Sequence, residues 1–599
     1  MTFIDINSEI RLKIITVIIV TIFFFLGFRL YQLQVVDSEK YTTASEKNAI
    51  KEKIINPFRG VFYDRNWNLL ADNQPSYTLR ITPKEFDKSL IPLLENYFKF
   101  TPGYIHSVLK ANKTYSPFIP IKILRGLNFK QISWLEENQN QLKGVDYSID
   151  MERVYPFGIS ASHLFGYCKE IPDKQLKENL EFYLPGDFVG HSGLERYYEE
   201  YLRGVKGKKL VFVDAHGREI SRVNEGNNDK ASLQGYNFQL SLDGNLQQKA
   251  EELMLDKQGS IVILDPRNGE ILALLSKPDF DLKYFSSVTP AHIWRKINND
   301  KSKPLFNRAT SSIYPPGSCY KMLSAIGALQ DKVITPTYTY NCGGGFSYGD
   351  HFYKCMGTHG AVNVRTAIEK SCNTFFFSLI LKMGFERWTK YSDMFGFGKR
   401  TNIDILEENK GILPSVEYYN RIYGIKKWTP GYIVSLGVGQ GELGVTPLQM
   451  AMYISAIANG GTLYRPHAAR KLFNPAAQEK EITIKVDGKK LPIDKDVMDL
   501  VREGTFLVVN GAGTAGMMRI EGIHVAGKTG TAQNPHGKDH SWFVGYAPYE
   551  NPTIAIAVIV ENAGFGGAVA APIAKQLIEF YLKKDKFDEV LLTSNKIEE

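Results

Sequence analysis

The sequence predicts a multidomain α+β protein with a single transmembrane helix near its N-terminus, then an elongated α/β module, then a large domain in which helices cover an antiparallel sheet. The chain has 599 residues, too many for one hydrophobic core. One uncharged apolar run lies close to its start. In the second half, strands alternate with helical segments, a pattern typical of a covered sheet. These strands are predicted at residues 238–243, 260–265, 270–275, 539–546 and 553–560.

The composition is that of a globular protein. Hydrophobic residues make up 43% of the chain and charged residues 23%, and the formal net charge is +8. The sequence has neither a dense stripe of Lys and Arg nor a nucleic-acid-binding motif, which argues against a nucleic-acid partner. Five cysteines in a chain of this length do not indicate a disulfide framework.

The apolar run Ile14–Phe28 is flanked by Arg11, Lys13 and Arg29. A helix needs about 20 residues to span a bilayer, and this run reaches that length when the flanking basic side chains extend to the interface. A cleaved signal peptide is the alternative, but no small-x-small cleavage site follows the run. We therefore predict a cytoplasmic tip and an uncleaved anchor within residues 1–36. The short basic flanks do not determine its orientation.

Residues 37–235 are predicted to form a non-catalytic module. Short β-like runs alternate there with polar helices. Residues 85–150 are rich in Lys, Asn and Gln and carry no candidate chemistry, which indicates an inserted lobe. His191 and Glu195 open a later helix, and helix capping and core packing explain them better than catalysis does.

The large domain is predicted at residues 236–585, followed by a flexible tail at 586–599. Its most informative stretch is Tyr314–Lys321, which precedes an apolar run. The Pro-Pro-Gly in this stretch favours a turn and the apolar run a buried helix, so Ser318 is expected at the helix start with Lys321 on the same face. A lysine that is poorly solvated and close to another cation loses its proton more readily and can activate a serine.

A serine and a lysine at this spacing are weak evidence alone, because Ser107 and Lys110 match the same pattern without a turn or an apolar helix. The prediction depends on two motifs that follow in order. They are Ser371-Cys372-Asn373 and Lys528-Thr529-Gly530-Thr531, the second of which leads into an aromatic strand.

Together, the three motifs resemble the signature set of the penicillin-binding proteins and serine β-lactamases. The resemblance runs from the anchor to about residue 582 and is strongest to class B penicillin-binding proteins. The Tyr-Pro-Pro-Gly before Ser318 and the Cys/His segment described below favour the elongation-specific members of that class. The other matching motifs lie at residues 59–66, 153–158, 163–166, 190–195 and 446–449.

This resemblance implies a transpeptidase domain with the penicillin-binding fold and a serine acyl-enzyme mechanism that needs no cofactor. Ser318 would attack the carbonyl between two terminal D-alanines of a peptidoglycan stem peptide, with Lys321 as the base. Ser371 and Lys528 would relay the proton to the leaving amine, and Asn373 would position the substrate amide. An amine from a neighbouring stem would then complete the cross-link, and β-lactams would acylate the same serine.

The resemblance also assigns substrate binding to Thr529, Gly530 and Thr531. The two threonine hydroxyls, beside the Lys528 cation, would bind the terminal carboxylate. The backbone N–H groups of Ser318 and Thr531 would hold the oxyanion, an effect of about 3–4 kcal/mol per donor.

Cys342, Cys355, His359 and Cys372 form a separate cluster between the first two motifs. Three thiolates and one imidazole make a closed tetrahedral set for structural Zn²⁺, and some relatives look similar here and carry a metal. A disulfide and buried free thiols are the alternatives, and all three remain open. Because Cys372 lies inside the second motif, a metal would fix the loop that presents its serine and asparagine.

Two rival functions fit parts of the pattern. A D,D-carboxypeptidase or β-lactamase would use the same serine with water as acceptor, but no Glu-containing loop resembles the class A deacylation element. A β-lactam sensor or a cell-wall scaffold without turnover would have several spanning helices or a damaged motif set, and neither is visible in the sequence. We therefore predict a transpeptidase.

The resemblance further implies the partners and location of the chain. Its substrates would be peptidoglycan stem peptides and lipid-linked precursors. The N-terminal module would dock a RodA-type glycosyltransferase of the elongation machinery, because this chain has no glycosyltransferase domain of its own. The single helix would hold the chain in a bacterial inner membrane, with the large domain on the extracytoplasmic side.

Overall fold

The computed structural model describes residues 5–38, 50–111, 117–118, 120–179, 181–213, 219–286, 289–425, 427–474 and 481–594. The chain divides into two compact units. The first comprises Met1–Pro57 and Gly204–Gln234, and the second comprises Phe58–Arg203 and Gly235–Glu599. The predicted module at 37–235 is therefore shared between the two units.

The first unit contains the predicted apolar helix. This helix spans Asp5–Tyr31 and continues as a π-helix at Gln32–Val36. The segment Ile10–Val36 has a mean hydropathy of 2.3 in its most apolar window and is long enough to cross a membrane. Its apolar side chains are not covered by other parts of the protein. In a helix that spans a membrane, such side chains contact lipid. The unit also has a three-stranded antiparallel sheet of Ile50–Ile55, Gly207–Val213 and Glu219–Arg222, followed by a 3₁₀ turn at Val223–Gly226.

A seven-stranded sheet begins the second unit. Its strands run in the order Ile482–Thr483, Ala469–Phe473, Asn237–Leu240, Phe62–Tyr63, Leu69–Ile81 and Ile121–Arg125, and Val145–Val154 also pairs with Leu69–Ile81. The strand predicted at 238–243 thus ends three residues early, at Leu240. It pairs in parallel with Phe62–Tyr63, a long-range partner that the local apolar pattern does not specify.

The lobe predicted at 85–150 has its own small core. Leu79, Phe86, Leu94, Ile123 and Leu135 are among the buried residues that form it. Its helices are Ile91–Tyr97, Tyr104–Ala111 and Phe129–Glu137. The segments after the lobe are Ser162–Phe165, Cys168–Glu170, Asp173–Glu178, Phe188–Gly190, Gly193–Tyr197 and Glu199–Leu202.

A five-stranded antiparallel sheet, the central sheet, organises the rest of the second unit. Its strands run in the order Ile271–Lys277, Gly259–Leu264, Ile554–Val560, His540–Ala547 and Ala526–Ala532. All five strands are buried along almost their whole length, because helices pack on the faces of the sheet. The predicted antiparallel sheet covered by helices is confirmed. We call Ala526–Ala532, at the end of this order, the edge strand.

The helices around the central sheet bring the three sequence motifs together. They are Gly244–Leu253, Ala291–Asn298, Lys321–Gln330, Val364–Glu369, Asn373–Met383, Phe385–Met394, Val416–Tyr423, Pro447–Ala458, Lys495–Asn510 and Ala570–Ser594. Short two-stranded antiparallel sheets pair Tyr340–Cys342 with Gly360–Val362, Gly345–Tyr348 with His351–Lys354, and Thr462–Tyr464 with Gly488–Lys490.

The last helix, Ala570–Ser594, continues past the predicted start of the tail at residue 586. Part of the predicted tail at 586–599 is therefore helical, and residues 595–599 lie outside the described residues.

Candidate active site

Ser318 lies in a tight turn that touches the edge strand. A 3₁₀ turn at Gly317–Tyr320 leads into the helix Lys321–Gln330, as the Pro-Pro-Gly predicts. Gly317 has a φ of +56°, and a Cβ added to it would lie 2.5 Å from the carbonyl oxygen of Thr531. Only glycine therefore permits this approach, which places the nucleophile candidate, half-buried, beside the third motif.

Lys321 joins the first motif to the second. Its Nζ donates to the carbonyl oxygen of Ser371 at 2.7 Å and to Asn373 Oδ1 at 2.6 Å, and it lies 3.2 Å from Ser371 Oγ. Ser371 adopts a φ of +54°, a left-handed conformation in which its carbonyl and hydroxyl both face the amine. A strained backbone of this kind is found where a site over-determines it.

The lysine is fully buried, and the partners of its amine are neutral oxygens. Burial, reinforced by the nearby Lys528 cation, holds the pKa of Lys321 well below its usual value. Both effects disfavour the ammonium form. Burial therefore favours the neutral form of this amine, which lies one helical turn from Ser318 and beside a second hydroxyl.

Lys528 approaches the same centre from the edge strand. It is also fully buried, and its Nζ donates to the carbonyl oxygen of Thr529 at 3.1 Å. Burial lowers the pKa of Lys528 to about 8. Cys319, next to the nucleophile, is buried with its thiol 3.4 Å from the carbonyl oxygen of Lys528, so it packs the turn against the strand.

The backbone of Thr531 faces the nucleophile turn. Its carbonyl oxygen accepts a hydrogen bond from Gln440 Nε2 at 2.8 Å, outside the strand ladder. In an antiparallel strand, the N–H and C=O of one residue point to the same side. The N–H of Thr531 therefore also points out of the sheet, towards Gly317, whose hypothetical Cβ would be 3.2 Å from this nitrogen. This is the direction that an oxyanion donor requires.

The hydroxyls of the third motif have partners that sequence reasoning missed. Thr514 Oγ1 lies 2.8 Å from Thr529 Oγ1, and the N–H of Gly566 lies 3.4 Å from Thr531 Oγ1. Thr514 belongs to the glycine-rich stretch Gly511–Gly516, and Gln440 lies between two glycines. These glycines were the signal in the sequence, because a glycine often marks a place where two backbone segments lie close together.

The four residues of the Cys/His cluster come together as predicted. Their ligand atoms all lie within 4.8 Å of one another. His359 Nδ1 is 3.5 Å from the sulfurs of Cys342 and Cys355, and the sulfurs of Cys355 and Cys372 are 4.0 Å apart. Bonds of about 2.3 Å to sulfur and 2.0 Å to nitrogen at tetrahedral angles give ligand separations of about 3.5–3.8 Å. The cluster therefore fits Zn²⁺.

Of the two alternatives to a metal site, the structure shows free thiols and no disulfide. None of the five cysteines, all of which lie in the described residues, is bonded to another. Cys168 lies outside the cluster, and its thiol donates to Glu195 Oε2 at 3.4 Å. The cluster is connected to the second motif, because Asn373 Nδ2 donates to the carbonyl oxygen of Lys354 at 3.2 Å, one residue before Cys355.

Glu195 and His191 lie outside the catalytic centre. Glu195 is fully buried between Arg59 and Arg153, at 2.6 and 2.8 Å. The ring of His191 packs against Tyr167, with centroids 5.2 Å apart. Their structural roles agree with the prediction, although an ion cluster, rather than a helix cap, explains Glu195.

Two protein-family models match the chain. Residues 259–579, more than half of it, match the penicillin binding protein transpeptidase domain, and residues 54–240 match the penicillin-binding protein dimerisation domain. A similar curated protein is the peptidoglycan D,D-transpeptidase MrdA of Salmonella typhimurium, which is 32% identical over 97% of each chain.

Solved structures show the same architecture. Penicillin-binding protein 2 of Helicobacter pylori, solved in complex with MreC, matches with a TM-score of 0.78 at 29% identity, over 89% of this chain and 99% of the other. A chain from a peptidoglycan synthase complex, studied for its coordination of polymerization and crosslinking, matches with a TM-score of 0.71 at 27% identity, over 95% and 98% of the two chains.

Proposed function

The chain belongs to the class B penicillin-binding proteins, and on this premise we propose how its residues catalyse peptidoglycan cross-linking. It is a serine-type D,D-transpeptidase of the penicillin-binding protein 2 type, which acts in cell-wall elongation. The observation that carries the residue assignment is the buried amine of Lys321, one turn from Ser318 and bonded to both polar residues of the second motif.

Acylation begins with proton transfer from Ser318 to the neutral amine of Lys321. Ser318 Oγ then bonds to the carbonyl carbon between the two terminal D-alanines of a stem peptide. The C–N bond breaks, the proton passes through Ser371 Oγ to the leaving nitrogen, and D-alanine departs. The 3.2 Å separation of Lys321 Nζ and Ser371 Oγ supports this relay.

The edge strand binds the substrate. Lys528 supplies positive charge beside the hydroxyls of Thr529 and Thr531, which receive the terminal carboxylate. The N–H groups of Ser318 and Thr531 stabilise the oxyanion. Gly530 has no room for a side chain, because an added Cβ would lie 2.7 Å from Cys319 Sγ. In the second half-reaction, an amine of a neighbouring stem attacks the ester and restores Ser318.

We also assign a structural Zn²⁺ to Cys342, Cys355, His359 and Cys372. When bound, the metal supplies no catalytic step and crosslinks the hairpin His351–Lys354 to the second motif. The purified chain is expected to contain one zinc per molecule. Cys355→Ser should lose the metal and lower the melting temperature, whereas Cys168→Ser, outside the cluster, should keep both. Equal zinc content in the two variants would contradict the assignment.

The apolar helix serves as a single-pass anchor in the bacterial inner membrane, with the catalytic domain on the extracytoplasmic side, where peptidoglycan lies. Residues 37–235 act as a non-catalytic pedestal and residues 236–585 as the transpeptidase domain. The similarity to a peptidoglycan synthase complex and to a complex with MreC supports docking to a RodA-type glycosyltransferase and the elongation machinery.

Mass spectrometry of the intact protein after incubation with a penicillin tests the site assignment. We expect a long-lived one-to-one adduct on Ser318 that Ser318→Ala abolishes, while Ser107→Ala, at the chance match to the first motif, keeps it. Rapid consumption of penicillin without an adduct would indicate a β-lactamase. An adduct that persists in Ser318→Ala would overturn the assignment of the nucleophile.

A further inference from the structure

The pair Gly439–Gln440 connects the two backbone segments that supply the oxyanion donors. The 3₁₀ segment Pro430–Val438 ends at Gly439, whose φ is +71°. The carbonyl oxygen of Gly439 accepts from the N–H of Gly317 at 2.9 Å. The side chain of Gln440 donates to the carbonyl oxygen of Thr531 at 2.8 Å. One residue therefore holds the nucleophile turn, and the next holds the edge strand.

The edge strand needs such support at Thr531. Among the described residues it has a ladder partner on one side only, so the outward carbonyl of Thr531 has no strand there to pair with. Gly530, immediately before Thr531, removes the side-chain packing that normally stiffens a strand. The orientation of the Thr531 peptide therefore depends on contacts from outside the sheet.

Gln440 is held in a fixed position to make this contact. A Cβ added to Gly439 would lie 2.3 Å from the carbonyl oxygen of Gly317, so the backbone before Gln440 is packed directly against the turn. The amide of Gln440 is an uncharged donor that reaches across to Thr531. A carboxylate of the same length would instead place negative charge against the carbonyl oxygen.

We propose that Gln440 is a positioning residue for the oxyanion hole, which fixes the Thr531 N–H at the distance from Ser318 that the tetrahedral intermediate requires. This inference rests on the proposed function of the site. Gln440 contacts the strand and not the reacting atoms, so its loss should affect the transition state more than the binding of the substrate. Misplacement of one of two donors is expected to slow acylation about tenfold, less than complete loss of a donor.

Two ligands separate this role from a general structural one. The first is a penicillin, whose non-covalent dissociation constant and acylation rate are resolved by stopped-flow fluorescence. The second is a boronic acid, whose tetrahedral adduct with Ser318 places an oxygen in the oxyanion site. For Gln440→Ala and Gln440→Glu, we expect acylation and boronic acid affinity to fall together by about tenfold. The penicillin dissociation constant should stay within roughly twofold of the wild-type value, and the melting temperature should stay within roughly two degrees of it.

The matched control is Gln248→Ala. Gln248 is an exposed glutamine on the helix Gly244–Leu253, and this variant should behave like wild type in every measurement. Unchanged acylation and boronic acid affinity in Gln440→Ala would overturn the inference. So would a parallel loss of penicillin binding and melting temperature, because that pattern indicates structural damage. A wild-type protein without any adduct would instead overturn the proposed function, and the inference with it.

Discussion

Two buried ionisable side chains in this protein, Glu195 and Lys321, have opposite surroundings. Glu195 is fully buried and contacts the guanidinium groups of Arg59 and Arg153, and the carboxylate of Glu199 also contacts Arg59. Lys321 is just as buried, but its amine is bonded only to neutral oxygens of the second motif.

The difference appears in their protonation. Burial alone would raise the pKa of Glu195, but Arg153 and Arg59 together hold it below its ordinary value, so the carboxylate stays charged. Burial and Lys528 lower the pKa of Lys321, so the amine tends to be neutral. Removing one partner of a compensated buried charge destabilises a fold, whereas a buried lysine without a counter-ion is poised for proton transfer.

The largest effect is expected from Lys321→Met. This change removes the base, so acylation by penicillin should slow by about 10³-fold. The fold should remain stable, because no buried carboxylate loses its partner. The rate is measured by the time course of adduct formation in mass spectrometry, with thermal unfolding in parallel.

Lys110→Met is the control, because Lys110 belongs to the chance match of the first motif and is exposed. It should acylate at the wild-type rate. Acylation by Lys321→Met within a few-fold of wild type would show that another group takes the proton.

Glu195→Gln should produce the reverse pattern. It leaves two buried guanidinium groups with less negative charge, which should lower the free energy of unfolding by about 3–5 kcal/mol. The molecules that remain folded should acylate at the wild-type rate. Asp146→Asn, which breaks the exposed pair with Arg80, should cost less than about 1 kcal/mol. Denaturant unfolding measures the free energy of unfolding of both variants. Equal losses would show that the buried ion cluster of Glu195 contributes no more to stability than the exposed pair of Asp146 does.

The smallest effect concerns pH. Acylation should rise as Lys321 loses its proton, and it should fall again as pH rises through about 8, where Lys528 loses the charge that binds the carboxylate. Arginine stays charged above this range. Lys528→Arg should therefore move the falling limb upwards, at a lower overall rate. A falling limb that stays near pH 8 in this variant would exclude Lys528 as its origin.

The sequence by itself determined the turn that precedes the helix Lys321–Gln330, the long apolar N-terminal helix and the covered antiparallel sheet. Each of these depends on local chemistry. Pro-Pro-Gly before an apolar run starts a helix, an uncharged run of membrane length makes a spanning helix, and alternating strands and helices build layers. The Cys/His cluster was also visible, because three thiols and an imidazole within thirty-one residues are uncommon.

Only the tertiary structure decided which distant groups meet. Thr531 faces Gln440, Thr529 faces Thr514, and Asn237–Leu240 pairs with Phe62–Tyr63. Local patterns encode which face of a segment is buried but not its partner, since pairing depends on the packing of the whole core. The same limit applies to charge. The sequence does not show that Glu195 keeps its charge beside two arginines while Lys321 favours its neutral form. The neighbours that decide this come together only in the folded protein.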